Sequence, residues 1–574
     1  MPKNFSAWPM GLPRNLYYPA VPIYTVLDDT ARRAPDRTAL IFFDRPMTYL
    51  ELRDLADRFA AALVDAGVKR GDRVAVNLPN CPQFAVAYYG LLKAGAVFVP
   101  VSPLLAPQEV EYQLKDAGAE SIITLDLLYE KIEPVLDAMR LQLRYVVCLG
   151  DALLPPASPI RMPPRGTRAF NRVLLDHPPL AAPVEIDPEL DLGHIAYTGG
   201  TTGLSKGAML SHKNVVSNII QNCMLVLGAQ IEEVPGQIRI HYAGSQTGDW
   251  GGIFKRDSEV SLMVPPWFHA MGALALNNQI FLGSTMVVFP RFDPADVLAA
   301  ARRYRATFMN GAPPVYRLVL EHPDFAESDL AHIKWAVSGA APLPMNLLEK
   351  MLSVIPGVVT EGYGLSECTA AAAVNPPMRK GIRPGSIGLP LFDTELKVID
   401  PNTGRTLPPG DEGEICIRGP QMMLGYWNKP QATAEVLENG WLHTGDIGRE
   451  DEEGYFYITD RMKDMILYKG YNVYPRELEE ILSRHPDVYI CAVLGRPDPD
   501  SGEAVVAFVQ PRKDAAPSAV EIMAFVNTRV APYKKVREIY FVDQIPVSGP
   551  GKILKRLLRE QIPTKREKPQ HGTF

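Results

Sequence analysis

Residues 197–207 (YTGGTTGLSKG) give the strongest indication of chemistry in the chain. The glycines allow backbone N–H groups to approach a bulky anion. The threonine hydroxyls add hydrogen-bond donors, and Lys206 adds a positive charge for phosphate oxygens. A Walker A loop has glycine directly before the lysine, whereas here Ser205 precedes Lys206 and Gly207 follows it. The segment therefore predicts phosphate binding without P-loop kinase chemistry, and its alternative is a glycine-rich surface turn.

Two further segments combine a glycine turn with a carboxylate. In residues 360–367 (TEGYGLSE), the ring of Tyr363 could stack on a base and Glu367 could bind Mg²⁺ through oxygen. In residues 441–446 (WLHTGD), Asp446 could accept hydrogen bonds from the two hydroxyls of a ribose. Taken singly, the alternatives are a core tyrosine and an ordinary turn aspartate.

Two charged segments lie towards the C-terminus. Residues 460–464 (DRMKD) fall where a new domain begins, and their ordinary interpretation is a solvated linker. Residues 548–553 (SGPGKI) present Lys552 on a glycine loop just before a basic helix. Taken alone, Lys552 would be an exposed lysine.

The composition is that of an ordinary globular protein and excludes several classes. The 574 residues are 47% hydrophobic and 22% charged, and the net charge of -6 argues against nucleic acid as a partner. No apolar run reaches the ~18–20 residues of a membrane-spanning helix, and the first residues do not resemble a signal peptide. The six cysteines lie far apart without a CxxC pair, which favours a reducing, cytoplasmic location.

Helix and strand patterns alternate through the first 125 residues. Leu52, Leu55, Phe59 and Leu63 fall at helical spacing after Thr48, a residue suited to cap a helix. Further elements are predicted as strands at 73–78, 96–101 and 121–125 and helices at 83–93 and from Pro107. Such alternation with short loops predicts doubly wound α/β layers.

The rest of the chain changes character three times. Residues 151–190 are proline-rich and predict an irregular connection. A second α/β region follows, with strands predicted near 194–198, 285–289 and 334–338. Between 389 and 459, short strands near 396–399 and 414–418 separated by Pro/Gly turns predict a β-rich subdomain. After Arg461 a compact α+β pattern predicts helices near 476–483 and 518–530 and strands near 489–494, 504–510 and 538–542.

In this order and spacing, the five motifs resemble those of the acyl-adenylate-forming superfamily, which includes acyl-CoA synthetases, peptide-synthetase adenylation domains and luciferases. The resemblance extends from about Thr25 to Glu560. It implies an N-terminal domain over 1–460, made of two doubly wound α/β subdomains and a β-rich subdomain. It also implies a small mobile α+β C-terminal domain over 461–574, with Lys463 as the hinge and the active site between the two domains.

The resemblance implies roles for the motif residues in binding ATP. The phosphates would be bound by Thr198, Gly199, Gly200, Thr201, Thr202, Gly203 and Lys206. The adenine would be lined by Gly339, Ala340, Ala341, Glu361, Gly362 and Tyr363, with Gly364 also at the nucleotide. Asp446 would bind the ribose hydroxyls with help from Arg461, and Thr198 and Glu367 would hold Mg²⁺.

The resemblance also implies the catalytic groups, Lys552, Lys206, Glu367 and His269. Lys552 would reach the junction between carboxylate and α-phosphate, and His269 would lie at the mouth of the acyl pocket. The channel for the thiol of coenzyme A would be bordered by Lys469, Gly470 and Tyr471.

Two features depart from the family pattern. Gly199 stands where Ser or Thr is usual, and Ser205 stands where Pro is usual; loss of one hydroxyl would weaken phosphate contacts by about 0.5–1.5 kcal/mol. The separation of Lys206 and His269 is also larger than expected. The surplus near 230–260 is rich in glycine and charge and predicts a surface insertion.

These residues predict an enzyme that activates a carboxylic acid with ATP and then transfers the acyl group to coenzyme A. Small residues at 270, 272, 273, 341, 364 and 370–373 predict a roomy apolar pocket for a medium- or long-chain fatty acid. Four alternatives stay open: an aryl acid, an alicyclic acid, a ligase that loads a carrier protein, and a catalytically silent relative. The sequence also leaves open a homodimer and, through the basic stretch at 552–568, peripheral contact with a membrane.

Overall fold

The computed structural model describes residues 8, 12–148, 163–198, 205–242, 252–378, 381–469, 471–498, 501–513, 515, 517–547 and 552–562. Several predictions fall outside these ranges. They concern the phosphate-loop residues Gly199, Gly200, Thr201, Thr202 and Gly203, the thiol-channel residue Gly470, the glycine loop before Lys552, and parts of the proline-rich connection and of the surplus segment.

The strands are numbered in chain order. They are β1 Thr38–Phe42, β2 Arg45–Thr48, β3 Arg73–Asn77, β4 Val97–Pro100, β5 Ser121–Leu125, β6 Leu143–Val147, β7 Arg168–Ala169, β8 Leu192–Tyr197, β9 Gly207–Ser211, β10 Ala229–Ile231, β11 Ile240–Tyr242, β12 Val260–Met263, β13 Thr285–Val288, β14 Phe308–Gly311, β15 Trp335–Ser338, β16 Val358–Tyr363, β17 Ala373–Val374, β18 Leu389–Pro390, β19 Glu395–Ile399, β20 Gly413–Arg418, β21 Gly425–Tyr426, β22 Leu437–Glu438, β23 Trp441–Glu450, β24 Phe456–Arg461, β25 Ile466–Tyr468, β26 Tyr471–Val473, β27 Val488–Asp498, β28 Gly502–Pro511 and β29 Glu538–Phe541.

The α-helices are numbered in the same way. They are α1 Thr25–Arg33, α2 Tyr49–Asp65, α3 Pro82–Lys93, α4 Pro107–Ala117, α5 Asp126–Ala138, α6 Phe170–Asp176, α7 His212–Leu227, α8 Ala270–Leu282, α9 Pro294–Tyr304, α10 Pro313–Leu320, α11 Met345–Val354, α12 Pro430–Ala434, α13 Pro475–Leu482, α14 Ala519–Asn527 and α15 Lys555–Arg559. None of the helices in the described ranges combines the length and apolar character that crossing a bilayer requires.

Helix α2 forms as its sequence predicts. The Thr48 hydroxyl accepts a hydrogen bond from the N–H of Glu51, and the Glu51 carboxylate accepts one from the N–H of Thr48, so both ends of a capping box are present. The predicted apolar face, including Leu52, Phe59 and Leu63, is buried. A capped N-terminus and one apolar face are sufficient to fix this helix against the core.

Two large sheets form the body of the N-terminal region, as the alternating pattern predicts. The first has nine strands in the order β18-β17-β16-β15-β14-β12-β13-β1-β2, and the second has eight in the order β21-β9-β8-β4-β3-β5-β6-β7. Strands β12 to β16 pair in parallel with one another. In an open parallel sheet ligands bind at the carboxyl ends of the strands, and the segment after β15 and the end of β16 carry the predicted adenine residues.

Two smaller antiparallel-rich sheets complete the fold. The β-rich sheet has the order β19-β20-β23-β22, with β24 paired to β23, and the C-terminal sheet has the order β26-β25-β28-β27, with β29 paired to β28. The chain passes from the first to the second through residues 462–465. The predicted mixed α/β architecture with a small α+β C-terminal unit is confirmed.

The surplus near 230–260 is only partly a surface insertion. Strands β10 and β11 pair as a short hairpin. Phe254 and Glu259, however, are buried, and Phe254 packs edge-on against Phe308 at 5.7 Å between ring centroids. The charged residues that suggested a solvated loop are paired internally: Arg256 with Asp29, Asp257 with Arg33, and Glu259 with Lys334. The prediction of a surface insertion up to residue 260 is therefore wrong for its last part.

Candidate active site

A cleft of about 350 Å³ lies where the small C-terminal unit meets the large one. This volume falls within the ~300–1,000 Å³ usual for small-molecule sites. Nine of the residues predicted to bind or act on the nucleotide line it: Ala340, Ala341, Glu361, Gly362, Tyr363, Gly364, Asp446, Arg461 and Lys552. The predicted Gly339 lies directly before this wall and donates its N–H to the carbonyl of Gly311 at 3.1 Å.

Asp446 is the polar centre of the cleft. Its carboxylate is buried, with Oδ2 accepting a 2.6 Å hydrogen bond from the hydroxyl of Tyr363 and Oδ1 lying 3.0 Å from Nε of Arg461. The antiparallel register of β23 and β24 places Asp446 directly opposite Arg461. Each carboxylate oxygen can accept a second hydrogen bond, so the group remains able to bind a pair of hydroxyls.

Glu361 has a different environment from Asp446. Its carboxylate accepts hydrogen bonds from the N–H of Leu343 at 3.3 Å and from the N–H of Gly385 at 3.2 Å. Burial raises the pKa of Glu361, and the charge of Arg476 opposes the rise. The side chain therefore joins two loops of the cleft wall, and the sequence alone did not predict this bracing role.

Lys552 reaches the cleft from the C-terminal unit. The residue after it, Ile553, forms an antiparallel bridge with Val547. Burial, reinforced by the charge of Arg461, lowers the pKa of Lys552 to about 8. Burial and then the charge of Lys552 lower the pKa of His269 to about 4, so the two predicted groups lie close enough to interact. The structure thus has Lys552 positioned among Asp446, Arg461 and His269.

Lys206 and Glu367 are connected through a residue that the sequence analysis missed. The ammonium of Lys206 lies 5.0 Å from the ring centroid of Tyr426, and the hydroxyl of Tyr426 donates a 2.7 Å hydrogen bond to Oε1 of Glu367. Tyr426 is brought here because β21 pairs with β9, the strand that follows the phosphate loop. No spacing between residues 206, 367 and 426 could have revealed this contact.

The two described ends of the phosphate loop are held together. The N–H of Thr198 donates to the carbonyl of Lys206 at 2.9 Å, where β8 and β9 pair as antiparallel strands. The predicted metal ligands Thr198 and Glu367 therefore belong to one connected region through Lys206 and Tyr426.

A second, smaller pocket lies beside His269, and we call it the inner pocket. It is lined by residues that include Phe98, His194, Phe268, His269, Ala273 and Asn277. Its volume is about 20 Å³, enough for about one water molecule. Beside His269, the described residues therefore leave much less space than the roomy apolar pocket that the sequence predicts, whereas Ala341 and Gly364 line the larger cleft.

Close backbone packing accounts for two of the small residues behind that prediction. A Cβ on Gly272 would lie 1.9 Å from the carbonyl oxygen of Pro266, and one on Gly364 would lie 1.8 Å from that of Ala370. These glycines are required where the backbone at the start of α8 and after β16 packs against neighbouring loops. They do not enlarge the pocket.

The predicted hinge Lys463 lies in a tight turn with an exposed side chain. The N–H groups of Asp464 and Met465 both donate to the carbonyl of Arg461, at 2.9 and 3.0 Å. This turn separates β24 from β25, and therefore the β-rich sheet from the C-terminal sheet.

The two units also meet away from the turn. The guanidinium of Arg317 on α10 donates to the carbonyl of Tyr489 on β27 and lies 5.4 Å from its ring centroid. Arg512 forms a 3.5 Å ion pair with Glu321. These contacts join the large unit to the small unit that carries Lys552.

The predicted thiol-channel residues lie elsewhere. Lys469 and Tyr471 are exposed and are not among the described residues that line the cleft. Tyr471 stacks on Tyr533 with 4.8 Å between ring centroids. The structure does not bring this hairpin together with Lys552.

Helix α15 offers a smaller basic face than its sequence predicts. Lys555 forms a 2.8 Å ion pair with Glu479, and Arg559 forms a 2.7 Å ion pair with Asp464. Two of its basic side chains are therefore bound to acids of the C-terminal unit.

Comparison with known proteins agrees with this geometry. The profile of AMP-binding enzymes matches residues 27–427, and that of the AMP-binding enzyme C-terminal domain matches residues 477–552. A long-chain-fatty-acid–CoA ligase of Bacillus subtilis (strain 168) is 38% identical over 570 residues, covering 97% of each chain. A feruloyl-CoA synthase of Amycolatopsis sp is 35% identical, covering 93% of this chain and 97% of the relative.

A solved structure is also similar. ATP-bound MatB from Rhodopseudomonas palustris superimposes with a TM-score of 0.81 at 28% identity, covering 94% of this chain and 99% of MatB. The chain belongs to the AMP-binding enzyme family. ATP and coenzyme A are substrates of the CoA ligases of this family, and the superfamily resemblance drawn from the five motifs is confirmed.

Proposed function

We propose that this protein is an AMP-forming acid–CoA ligase, which converts a carboxylic acid to an acyl-adenylate and then to an acyl-CoA. The observation that carries the proposal is the convergence of Tyr363, Asp446 and Arg461 with Lys552 in one cleft between the two units. The first three residues come from the large unit, and Lys552 comes from the small one. Such a site is complete only when the two units close on each other.

In the first step a carboxylate oxygen attacks the α-phosphorus of ATP, and pyrophosphate leaves. Asp446 accepts the ribose hydroxyls, and Arg461 orients the carboxylate of Asp446. The ammonium of Lys552 stabilises the negative charge that develops between carboxylate and α-phosphate, and Lys206 does so at the phosphate oxygens. The pKa of Lys552 is lowered only to about 8, which still leaves most of this group protonated at neutral pH.

The residues present fit a magnesium ion at the phosphates. Hard divalent cations prefer oxygen, and the Glu367 carboxylate, aligned by the hydroxyl of Tyr426, and the hydroxyl of Thr198 are oxygen donors. When bound, Mg²⁺ would neutralise phosphate charge. The protein's own contribution is the orientation of Glu367 by Tyr426.

In the second step the thiolate of coenzyme A attacks the acyl carbon, and AMP leaves. Lys552 occupies the cleft in the present arrangement, whereas Lys469 and Tyr471 lie outside it. Rotation of the small unit about the turn at Lys463 would remove Lys552 and bring the hairpin of β25 and β26 to the acyl-adenylate. One site would thereby serve two reactions.

The acid belongs to the class of apolar carboxylic acids, with fatty acids as the first candidate. The Bacillus subtilis relative supports that candidate through its name and its coverage of 97% of the chain. An aryl acid is the second candidate, supported by the aromatic side chains of Phe98 and Phe268 beside His269 and by the feruloyl-CoA synthase relative.

The test is acid-dependent release of pyrophosphate, followed by formation of acyl-CoA. Purified protein is assayed with ATP, Mg²⁺ and a panel of fatty and aryl acids, with and without coenzyme A. Pyrophosphate release with at least one acid, and thioester formation only with coenzyme A, are expected. Adenylation without transfer to coenzyme A would instead identify a ligase that loads a carrier protein.

A further inference from the structure

A buried hydrogen-bonded network closes one end of the inner pocket. It joins Tyr88 and Tyr89 of α3, His194 of β8 and Asn277 of α8. His194 and Asn277 also line the pocket, with exposed fractions of 4% and 0%. Because buried polar groups must be paired, the donor and acceptor in each contact can be assigned.

The contacts of Asn277 determine which group donates and which accepts in each hydrogen bond of the network. Its amide nitrogen lies 2.9 Å from both the carbonyl of Ala273 and the hydroxyl of Tyr88, and its Oδ1 accepts from the hydroxyl of Tyr89 at 2.8 Å. A backbone carbonyl can only accept, so the atom facing Ala273 is the amide nitrogen. Both amide hydrogens of Asn277 are then used, one of them on Tyr88.

The hydrogen bond from Asn277 to the hydroxyl of Tyr88 determines which group donates in the next contact, between Tyr88 and His194. Since this hydroxyl accepts from Asn277, its own proton goes to Nε2 of His194, 2.9 Å away. Burial, and then the charge of His212, lower the pKa of His194 to about 3, so the imidazole is neutral at pH 7. A neutral imidazole whose Nε2 accepts a hydrogen bond carries its proton on Nδ1.

The imidazole is also held in its plane. The rings of Tyr88 and Phe98 stand edge-on to it, with centroids 5.5 and 5.2 Å away. Within the described ranges, the contact with Tyr88 is the only hydrogen bond of the His194 side chain. Its Nδ1–H is therefore an oriented donor that needs an acceptor from whatever occupies the pocket.

We infer that His194 selects the acid at the end remote from its carboxylate, favouring acids that carry an acceptor oxygen there, as a hydroxyl, methoxy or keto group, over hydrocarbon acids of the same shape. The inference rests on the proposed function, because His269, which lines the same pocket and feels the charge of Lys552 in the cleft, marks the reacting end. A hydrocarbon end would bury the Nδ1–H without a partner, whereas an oxygen would pair it. A binding site that forms a hydrogen bond with the substrate discriminates between similar substrates more strongly than an apolar pocket that distinguishes them only by size.

The experiment compares matched pairs of acids that differ only in oxygen against methyl. The aryl pair is 4-hydroxycinnamate and 4-methylcinnamate, and the alkyl pair is 10-hydroxydecanoate and undecanoate. The kcat/KM of acid-dependent pyrophosphate release is measured for each. We expect the oxygen-bearing member of at least one pair to be favoured by about 10-fold or more, and the pair concerned tells whether the acid is aryl or alkyl.

Two variants identify His194 as the source of the preference. His194→Phe keeps a flat ring without the N–H and should abolish the preference by raising activity on the methyl member relative to the oxygen member. Tyr88→Phe keeps His194 but removes the hydroxyl that donates to its Nε2, so either tautomer of His194 can form. The preference for the oxygen-bearing acid should therefore become smaller without disappearing. Tyr129→Phe, at another buried tyrosine remote from the pocket, should leave the ratio unchanged.

The outcomes separate the inference from the proposed function. Equal kcat/KM within both pairs, or an unchanged ratio in a folded His194→Phe protein, would overturn the role of His194 while the ligase activity stands. Absence of pyrophosphate release with every acid would overturn the proposed function itself. If His194→Phe does not fold, as judged by its melting temperature, the wild-type ratios and Tyr88→Phe decide the question.

Discussion

The hydroxyl of Tyr363 donates a 2.6 Å hydrogen bond to Oδ2 of Asp446, which lies 83 residues further along the chain. The contact couples the end of β16, predicted to line the adenine, to the carboxylate predicted to bind the ribose. The orientation of Asp446 is therefore set by two partners, Tyr363 on one oxygen and Arg461 on the other.

Tyr363→Phe should weaken ATP binding while leaving the aromatic wall in place. A hydrogen bond to a charged group contributes about 1.5–3 kcal/mol, so the KM for ATP should rise by roughly 10-fold or more, with a smaller change in kcat. The measurement is the ATP dependence of pyrophosphate release. Tyr457→Phe, which removes a similar 3.0 Å bond to Asp451 in the same sheet, is the control and should leave the KM unchanged.

Lys552→Ala should separate the two half-reactions. The lysine acts on charge that develops only while the carboxylate attacks phosphorus, so adenylation should slow by at least ~10²–10³-fold. Thioester formation from supplied acyl-AMP should continue. Arg556→Ala, which removes an exposed charge four residues later, should affect neither step. Equal slowing of both half-reactions by Lys552→Ala would contradict this role.

The pH dependence of adenylation should report the same lysine. The pKa of Lys552 is lowered to about 8, so its ammonium is present below this pH and is lost as the pH rises through it. The kcat/KM for pyrophosphate release, which reflects the free enzyme, should therefore fall above about pH 8. The reaction of supplied acyl-AMP with coenzyme A should lack this ionisation. A profile for adenylation that stays flat to pH 10 would show that Lys552 does not act as an ammonium.

Glu367→Gln should raise the Mg²⁺ concentration needed for half-maximal pyrophosphate release, because a neutral amide binds hard cations less well than a carboxylate does. The amide oxygen can still accept the hydrogen bond from Tyr426, so the melting temperature should change little. Tyr426→Phe is the matched variant: it keeps the carboxylate, removes its 2.7 Å partner and should have a smaller effect on Mg²⁺ dependence. Unchanged Mg²⁺ dependence with a lower melting temperature in Glu367→Gln would mean that the residue only stabilises a turn.

Lys463→Pro should disfavour the arrangement seen here. Lys463 is the third residue of the turn closed by the bond from Asp464 to Arg461, and proline there forces the preceding Met462 away from the helical conformation. Adenylation, which needs Lys552 in the cleft, should therefore fall more than thioester formation from acyl-AMP. Lys463→Ala keeps the backbone free and should retain both activities. A proline variant with both rates at the wild-type level would show that the units do not turn at this residue.

Much of the secondary structure could be predicted from the sequence because interactions between residues close in sequence determine it. The cap at Thr48 and the apolar spacing after it were sufficient for α2, and the apolar run at 73–78 was sufficient for β3. The motifs, through their resemblance to a family, predicted which residues would meet in the cleft.

The rest depended on contacts between distant parts of the chain. Tyr426 reaches Glu367 through the pairing of β21 with β9, which no local pattern encodes. The charges at 256–259 suggested a solvated loop. Their ion-pair partners Asp29 and Lys334 lie far away in sequence, and this pairing allows Arg256 and Glu259 to be largely removed from solvent. The His194 network was missed for the same reason, since its members are contributed by three separate elements.

The hydrogen-bonded network around His194 affects how the substrate preference of the protein can change in evolution. Its four residues lie on α3, β8 and α8, outside the strands that hold Asp446 and Arg461, so changes at these four positions can alter the choice of acid while Asp446 and Arg461 stay in place. They are not independent of one another, however, because replacing His194 alone leaves the hydroxyl of Tyr88 without its acceptor. Acquisition of a new acid specificity should therefore be epistatic, with changes at 194, 88 and 277 tolerated together more readily than singly.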